Sequence, residues 1–317
     1  MKKRITLIIP AYNEQEVLAS LVKRLDKLAG SEPTVDFEFL FVNDGSRDKT
    51  LSILQDLARN DRRISYVSLS RNFGKELAMK AGLDNADGDA VVIIDADLQD
   101  PPELIPQMIK LWRDGYDDVY ARRTSRKGES WLKKFTSNQY YCVLQSTTKI
   151  PIQHNTGDFR LLDRRCVLAL RELREHDRNT KALFSWIGYR KKEITYERDK
   201  RAAGKTHWNY FQLVSLAIDG ITSFTTAPLR LASVLGMLVS LAAFVYIIVI
   251  VIRTLAFGID IDGYASTMSV ILFLGGVQLL SLGVIGEYIG RIFNESKNRP
   301  LYLIEEIHRG KVKKSSK

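Results

Sequence analysis

The sequence predicts an α/β protein that ends in a pair of apolar helices. Short β-branched runs alternate with amphipathic stretches through the first 121 of its 317 residues. Polar and acidic residues follow several of those runs. Two long segments towards the C-terminal end carry no charge at all.

The runs are Ile5–Pro10, Phe37–Asn43, Ile64–Leu69, Ala90–Asp95 and Asp118–Ala121, each short enough for a buried strand. Between them lie helical patterns at Glu16–Leu28, Asp48–Arg59, Lys75–Asn85 and Glu103–Arg113. Such alternation predicts a parallel sheet covered by helices. Ligands of these sheets bind beyond the C-terminal strand ends. Those ends carry Asn13-Glu14, Asn43-Asp44-Gly45-Ser46 and Asp95-Ala96-Asp97. No G-x-G-x-x-G or Walker A loop follows any strand, which disfavours a dinucleotide fold or a P-loop NTPase.

Residues 122–230 are less patterned. Trp131–Thr147 reads as an amphipathic helix, Lys191–Tyr196 as a strand and Asp199–Lys205 as a flexible basic turn. Tyr210–Ser223 is apolar and follows Trp208. It suits either a membrane interface or a helix packed on the globular part.

Leu231–Ile252 and Gly263–Gly286 are the uncharged segments, each long enough to cross a bilayer core. The few residues between them, Arg253 to Asp262, allow a tight hairpin. The mean hydropathy of −0.13 hides these segments, because a normally charged remainder offsets them. No secretory signal is read at the start, where the apolar run from Ile5 ends at Pro10. The tail carries Arg291, Lys297, Arg299, Arg309 and four further lysines, whereas the hairpin loop has only Arg253. The excess of cations predicts a cytoplasmic tail, and two spans return the N-terminal part to the same side. Cys142 and Cys166 are too few for a disulfide scaffold and fit a reducing compartment.

Charge is uneven along the chain. Lys and Arg number 47 against 37 Asp and Glu, a net +10. Residues 121–149 hold seven of the cations against Glu129 alone. A basic segment in a chain with an apolar hairpin suits lipid phosphates better than nucleic acid.

Asp95 and Asp97 flank one residue at a strand end. Two carboxylates there repel, and a hard divalent cation, Mg²⁺ or Mn²⁺, removes the conflict and gathers phosphate oxygens. Gln99 adds a neutral oxygen, and Pro101-Pro102 fixes the chain beyond. Asp44 sits at a neighbouring strand end, where it suits a base or ribose, or simply an Asx turn.

These residues fall in longer motifs. Pro10-Ala11-Tyr12-Asn13-Glu14, Val42-Asn43-Asp44-Gly45-Ser46, Arg71-Asn72-Phe73-Gly74-Lys75 and Asp95 to Glu103 resemble glycosyltransferase family 2. Asn155 to Arg164, the hairpin and Gly286-Glu287-Tyr288-Ile289-Gly290-Arg291 are similar to its polyprenyl-phosphate branch, above all the bactoprenol glucosyltransferases. The resemblance implies a GT-A, Rossmann-like domain over residues 1–165. An acceptor-side, juxtamembrane amphipathic region at 166–230, a transmembrane hairpin at 231–290 and a basic tail at 291–317 would follow. It implies inverting transfer of one sugar from a nucleotide-diphosphate sugar, UDP-glucose by first choice, to undecaprenyl phosphate at the cytoplasmic membrane face. UDP-N-acetylglucosamine, GDP-mannose and a UDP-4-amino-arabinose type are the other donors it allows.

By the same resemblance Pro10, Tyr12, Glu14, Asp44, Ser46, Lys75, Asp95, Arg201 and Lys205 would bind the nucleotide sugar. Asp95, Asp97 and Gln99 would hold the metal. Arg123, Lys133 and Ser137 would hold the acceptor phosphate, with Lys133 where the family usually has Arg. Asp158 matches the family's base, although a phosphate acceptor is already mostly ionised near neutral pH, so it would orient as readily as deprotonate. Relatives also imply a homo-oligomer, up to a tetramer. A processive polysaccharide synthase is disfavoured by the missing Q-x-x-R-W signature. A membrane protein that only binds nucleotide sugar is disfavoured by intact Asp95, Asp97, Asp158 and Arg201.

Overall fold

The computed structural model describes residues 2–123, 156–176, 178–196, 227–257 and 263–310. They fall into two units. One holds the sheet and includes residues 299–310; the other holds the two long helices.

The sheet unit opens with β1 (Lys3–Ala11), α1 (Leu18–Ser31), β2 (Val35–Asn43), α2 (Thr50–Asn60), β3 (Ile64–Leu69) and α3 (Lys75–Asn85). β4 (Ala90–Ile93), a short 3₁₀ turn at Pro102–Leu104, α4 (Ile105–Arg113) and β5 (Asp118–Arg123) follow. Beyond the undescribed 124–155 come β6 (Thr156–Asp163), α5 (Arg164–Glu172), α6 (Thr180–Trp186) and β7 (Lys191–Tyr196). The β-branched runs become strands because they are buried on both faces; all six residues of β3 and all four of β4 are inaccessible. The helices bury one stripe each, as α1 does with Leu18, Leu21, Leu25 and Leu28.

Among the described residues eight strands, the last being β8 (Ile304–His308), form one sheet in the order β7-β5-β6-β4-β1-β2-β3-β8. β1 pairs in parallel with β2 and β4, and β2 with β3, as the alternation predicts. The sheet is nevertheless mixed, not all parallel. β6 runs antiparallel between β4 and β5. β8 runs antiparallel along β3. β8 lies in the stretch expected only as a basic tail. Glu306 accepts from the Tyr66 hydroxyl and from Gln55 (2.9 Å). The Tyr302 hydroxyl donates to Asp84 (2.8 Å), and Arg309 to Asp87 (2.9 Å).

The second unit is two helices, α7 (Ala227–Phe257) and α8 (Tyr264–Ser296). Leu231–Ile250 and Phe273–Ser296 are long and apolar enough to cross a membrane, and neither is buried within the protein. α8 continues past Gly286, where the uncharged segment ends. It carries Glu287 and Arg291 as an ion pair one turn apart (3.0 Å). The close spacing of Gly286 and Gly290 suggests tight helix packing, yet among the described residues nothing beyond α8's own adjacent backbone lies within 4 Å of a Cβ built on either.

Candidate active site

The site grows out of strand register. β1 and β2 run level, so Ala11 lies beside Asn43, and β4 continues level with β1 through Ile94, whose amide reaches Ile8. The segments after these three strands therefore emerge together. Antiparallel β6 meets β4 with Ile93 opposite Arg160. Just beyond this pairing, Asp95 and Asp158 come close enough to share the Lys75 ammonium.

A cleft of about 270 Å³ opens at these ends. Pro10, Tyr12 and Glu14 line it from β1, Asp44 from β2, Asn72, Gly74, Lys75 and Ala78 from the start of α3, and Asp95 and Asp97 from β4. The loop before α3 is held by Asp44. Its two carboxylate oxygens accept from the amides of Phe73 (2.7 Å) and Gly74 (2.9 Å). Burial raises the Asp44 pKa, and the two amide bonds offset only part of that rise. Gly45 (φ +62°) is required here, because a Cβ would lie 2.3 Å from the Arg71 carbonyl carbon.

Lys75 is the first residue of α3 and bridges two strands. Its Nζ lies 2.6 Å from Asp95 Oδ1 and 2.7 Å from Asp158 Oδ2. Burial would lower the Lys75 pKa, but the two carboxylates outweigh it and hold the ammonium charged. Asp158 is buried, and its other oxygen, Oδ1, has no hydrogen-bond partner. Burial would raise the Asp158 pKa, but Lys75, Lys181 and Arg160 bring it below the ordinary carboxylate value.

The D-x-D segment is tightly turned. Asp97 Oδ1 accepts from the Gln99 amide (3.1 Å), and Leu98 between them takes a left-handed φ of 61°. Gln99 and Asp100 are buried. The Tyr196 hydroxyl donates to Asp100 (2.5 Å) and accepts from Arg123 Nε (3.3 Å). Arg123, assigned to the acceptor phosphate, is thus fixed beside the D-x-D segment. Tyr196 and Asp100 had no part in that assignment; the first is a generic strand aromatic and the second reads as a turn residue. Ser46 does not line the cleft. Its hydroxyl accepts from the Asn13 amide (3.0 Å) and ties two strand ends together. Lys133, Ser137, Arg201 and Lys205 lie outside the described residues.

Asp95, Asp97 and Gln99 are an oxygen set that suits a hard divalent cation. Among the described residues no three His, Cys, Asp or Glu side chains cluster closely enough to hold a metal unaided.

The glycosyl transferase family 2 model matches residues 6–170, the stretch that builds this cleft. The chain belongs to glycosyltransferase family 2. A second model, the GtrB C-terminal hairpin, matches residues 227–292, which are α7 and most of α8. An uncharacterized glycosyltransferase of Synechocystis is 49% identical over 97% of this chain and 96% of its own length. The bactoprenol glucosyl transferase of Shigella phage SfII is 43% identical over 97% of this chain and 99% of its own. A putative glycosyltransferase of Bacillus subtilis is 44% identical over 95% of this chain and 91% of its own. The protein is a glycosyltransferase whose motifs and hairpin are those of the polyprenyl-phosphate branch of family 2.

Proposed function

We propose that this glycosyltransferase moves glucose from UDP-glucose to a polyprenyl phosphate, undecaprenyl phosphate by first choice, at the cytoplasmic face of a membrane. The observation that carries the reading is that Asp95, Asp97 and Lys75 line one cleft, with buried Asp158 paired to Lys75 behind it, in a chain with an apolar hairpin. Full-length relatives named bactoprenol glucosyl transferase support the sugar and the lipid class.

In this reading Pro10, Tyr12 and Glu14 hold the nucleotide end of the donor. Asp95, Asp97 and Gln99 would hold Mg²⁺ or Mn²⁺, which when bound offsets the charge of the leaving diphosphate. Arg123 faces the acceptor phosphate with the planar fork that suits phosphate oxygens. An oxygen of the acceptor phosphate attacks the anomeric carbon from the side opposite the diphosphate. The bond from carbon to diphosphate oxygen breaks, and the configuration inverts. A phosphate monoester has its second pKa near about 6, so no proton need be removed at neutral pH. Asp158 is held at a lowered pKa and is a weak base. Its unpartnered Oδ1 suits a hydroxyl of the bound sugar, so Asp158 orients the donor.

The sheet supports the membrane topology. β8 follows the two long helices and still pairs with β3, so the chain on either side of the hairpin belongs to one folded unit. That unit lies on one side of a membrane, and the number of crossings between its two parts is even. Two spans satisfy this, and the cationic tail supports the cytoplasm as that side.

The test is a donor panel of UDP-glucose, UDP-N-acetylglucosamine, GDP-mannose and UDP-4-amino-arabinose with the full chain, undecaprenyl phosphate and Mn²⁺ or Mg²⁺. Mass spectrometry of the lipid should show a hexosyl product from UDP-glucose. No lipid product from any donor would overturn the reading; product from another donor alone would correct the sugar.

A further inference from the structure

We propose that Lys75 is the built-in counter-cation of the donor site: its ammonium bridges Asp95 and Asp158 until a metal-bound nucleotide diphosphate takes over Asp95. This rests on the donor site proposed above and adds an order of events to it.

The geometry leaves little choice. One nitrogen lies within 2.7 Å of carboxylates on two strands, β4's end and β6. Both Asp95 oxygens are within 2.8 Å of it. Two carboxylates this close repel unless a cation lies between them. The lysine does not arrive there by chance of a flexible stem. It begins α3, directly after Gly74 (φ +93°), and Asp44 holds the amides of the two preceding residues. Asp44 is thus a positioning residue that acts through this loop.

An ammonium and a divalent cation cannot both hold Asp95, because like charges at such distances repel strongly. A metal that arrives alone must displace Lys75 and strand its charge beside Asp158. A metal that arrives with a nucleotide diphosphate brings a new anionic partner for Lys75. Metal and nucleotide therefore bind cooperatively, and Lys75 carries the coupling. Its reciprocity makes the effect measurable without turnover.

The experiment measures Mn²⁺ binding by electron paramagnetic resonance to the full chain in detergent, with and without UDP. In the wild type UDP should tighten Mn²⁺ binding. In Lys75→Met, Mn²⁺ alone should bind roughly tenfold tighter than in the wild type, and UDP should add little, within ordinary site-to-site coupling. Lys75→Arg keeps the charge and should keep the coupling. Asp44→Asn should move part-way towards Lys75→Met, since its NH2 group replaces one of the two oxygens that accept separately from Phe73 and Gly74. Circular dichroism checks that each variant is folded; if Lys75→Met is not, Lys75→Gln takes its place. Unchanged or weaker Mn²⁺ binding in the folded Met or Gln variant overturns the role of Lys75 while leaving the metal reading intact. No Mn²⁺ binding by the wild type even with UDP overturns both.

Discussion

At the scale of single residues, Asp158 separates two chemistries. Its pKa lies below the ordinary value of 3.8, because Lys75, Lys181 and Arg160 together outweigh burial. A depressed pKa means that the ionised form is favoured in the fold. Its contribution is complete above the unfolded value and is lost only as pH falls through the lower, folded one. Between about pH 5 and 8 Asp158 therefore does not titrate, while the acceptor phosphate does, near about 6. The acceptor kcat/KM should fall on the acid side with that midpoint. Asp158→Asn should lower kcat roughly a hundredfold through misplacement of the sugar and leave the midpoint in place. A midpoint that vanishes in the Asn variant would make Asp158 the titrating base instead. Asp95 and Asp97 stood out as polar residues after an apolar run, whereas Asp158 was named only through the family resemblance. Sequence motifs could not disclose that Asp44 holds the loop before α3, since that depends on which amides the fold brings to it. Nor did they mark Tyr196, or show that it bonds Asp100 of the D-x-D segment, a pairing that comes from β7 lying beside β5.

At the scale of elements, what was legible is what carries an apolar pattern, whether buried on both faces, as β3 and β4 are, or on alternate residues, as in β7. β3, α3 and β7 occupy the spans their patterns predict, and β1, β2 and β4 differ by a few residues at the ends. β6 was hidden by its own charges. Asp158 and Arg160 interrupt an apolar run, and charge ordinarily signals exposure. Here Arg160 is fully buried, paired with Asp118 at 3.0 Å and stacked on Phe184 at 3.8 Å. β8 was hidden for the opposite reason: all five of its residues are exposed, so it has no apolar pattern to read. Its work is to cover the edge of β3, whose unpaired backbone groups would otherwise recruit other strands. Deletion of residues 301–317 should lower the unfolding temperature by roughly 5–10 °C, the loss of a few kcal/mol of edge hydrogen bonds. Light scattering on mild heating should rise with it. A truncated chain that unfolds and scatters like the full one would show that β8 contributes nothing to the sheet.

At the scale of the whole molecule, an average concealed the architecture. A mean hydropathy of −0.13 and a net charge of +10 describe neither a charged sheet unit nor two apolar helices. Connectivity adds what composition lacks. The chain leaves the sheet after β7, forms α7 and α8, and returns as β8 on the far edge of the same sheet. A strand cannot pair across a bilayer, so β1 to β7 and β8 share a side; in the proposed topology residues 258–262 lie on the other. Pairing leaves open which side that is; the cations after α8 are what favours the cytoplasm in the proposed topology. Thiol labelling in intact cells tests this directly. With Cys142 and Cys166 replaced by serine, a single cysteine at Gly258, between α7 and α8, should react with a membrane-impermeant maleimide added outside. A single cysteine at Ser315, in the tail, should react only after the cells are opened. Labelling of Ser315→Cys from outside would reverse the orientation. Protection of both positions in intact cells would mean that the helices do not cross, and the lipid acceptor would then have to be reached from a protein lying on the membrane surface.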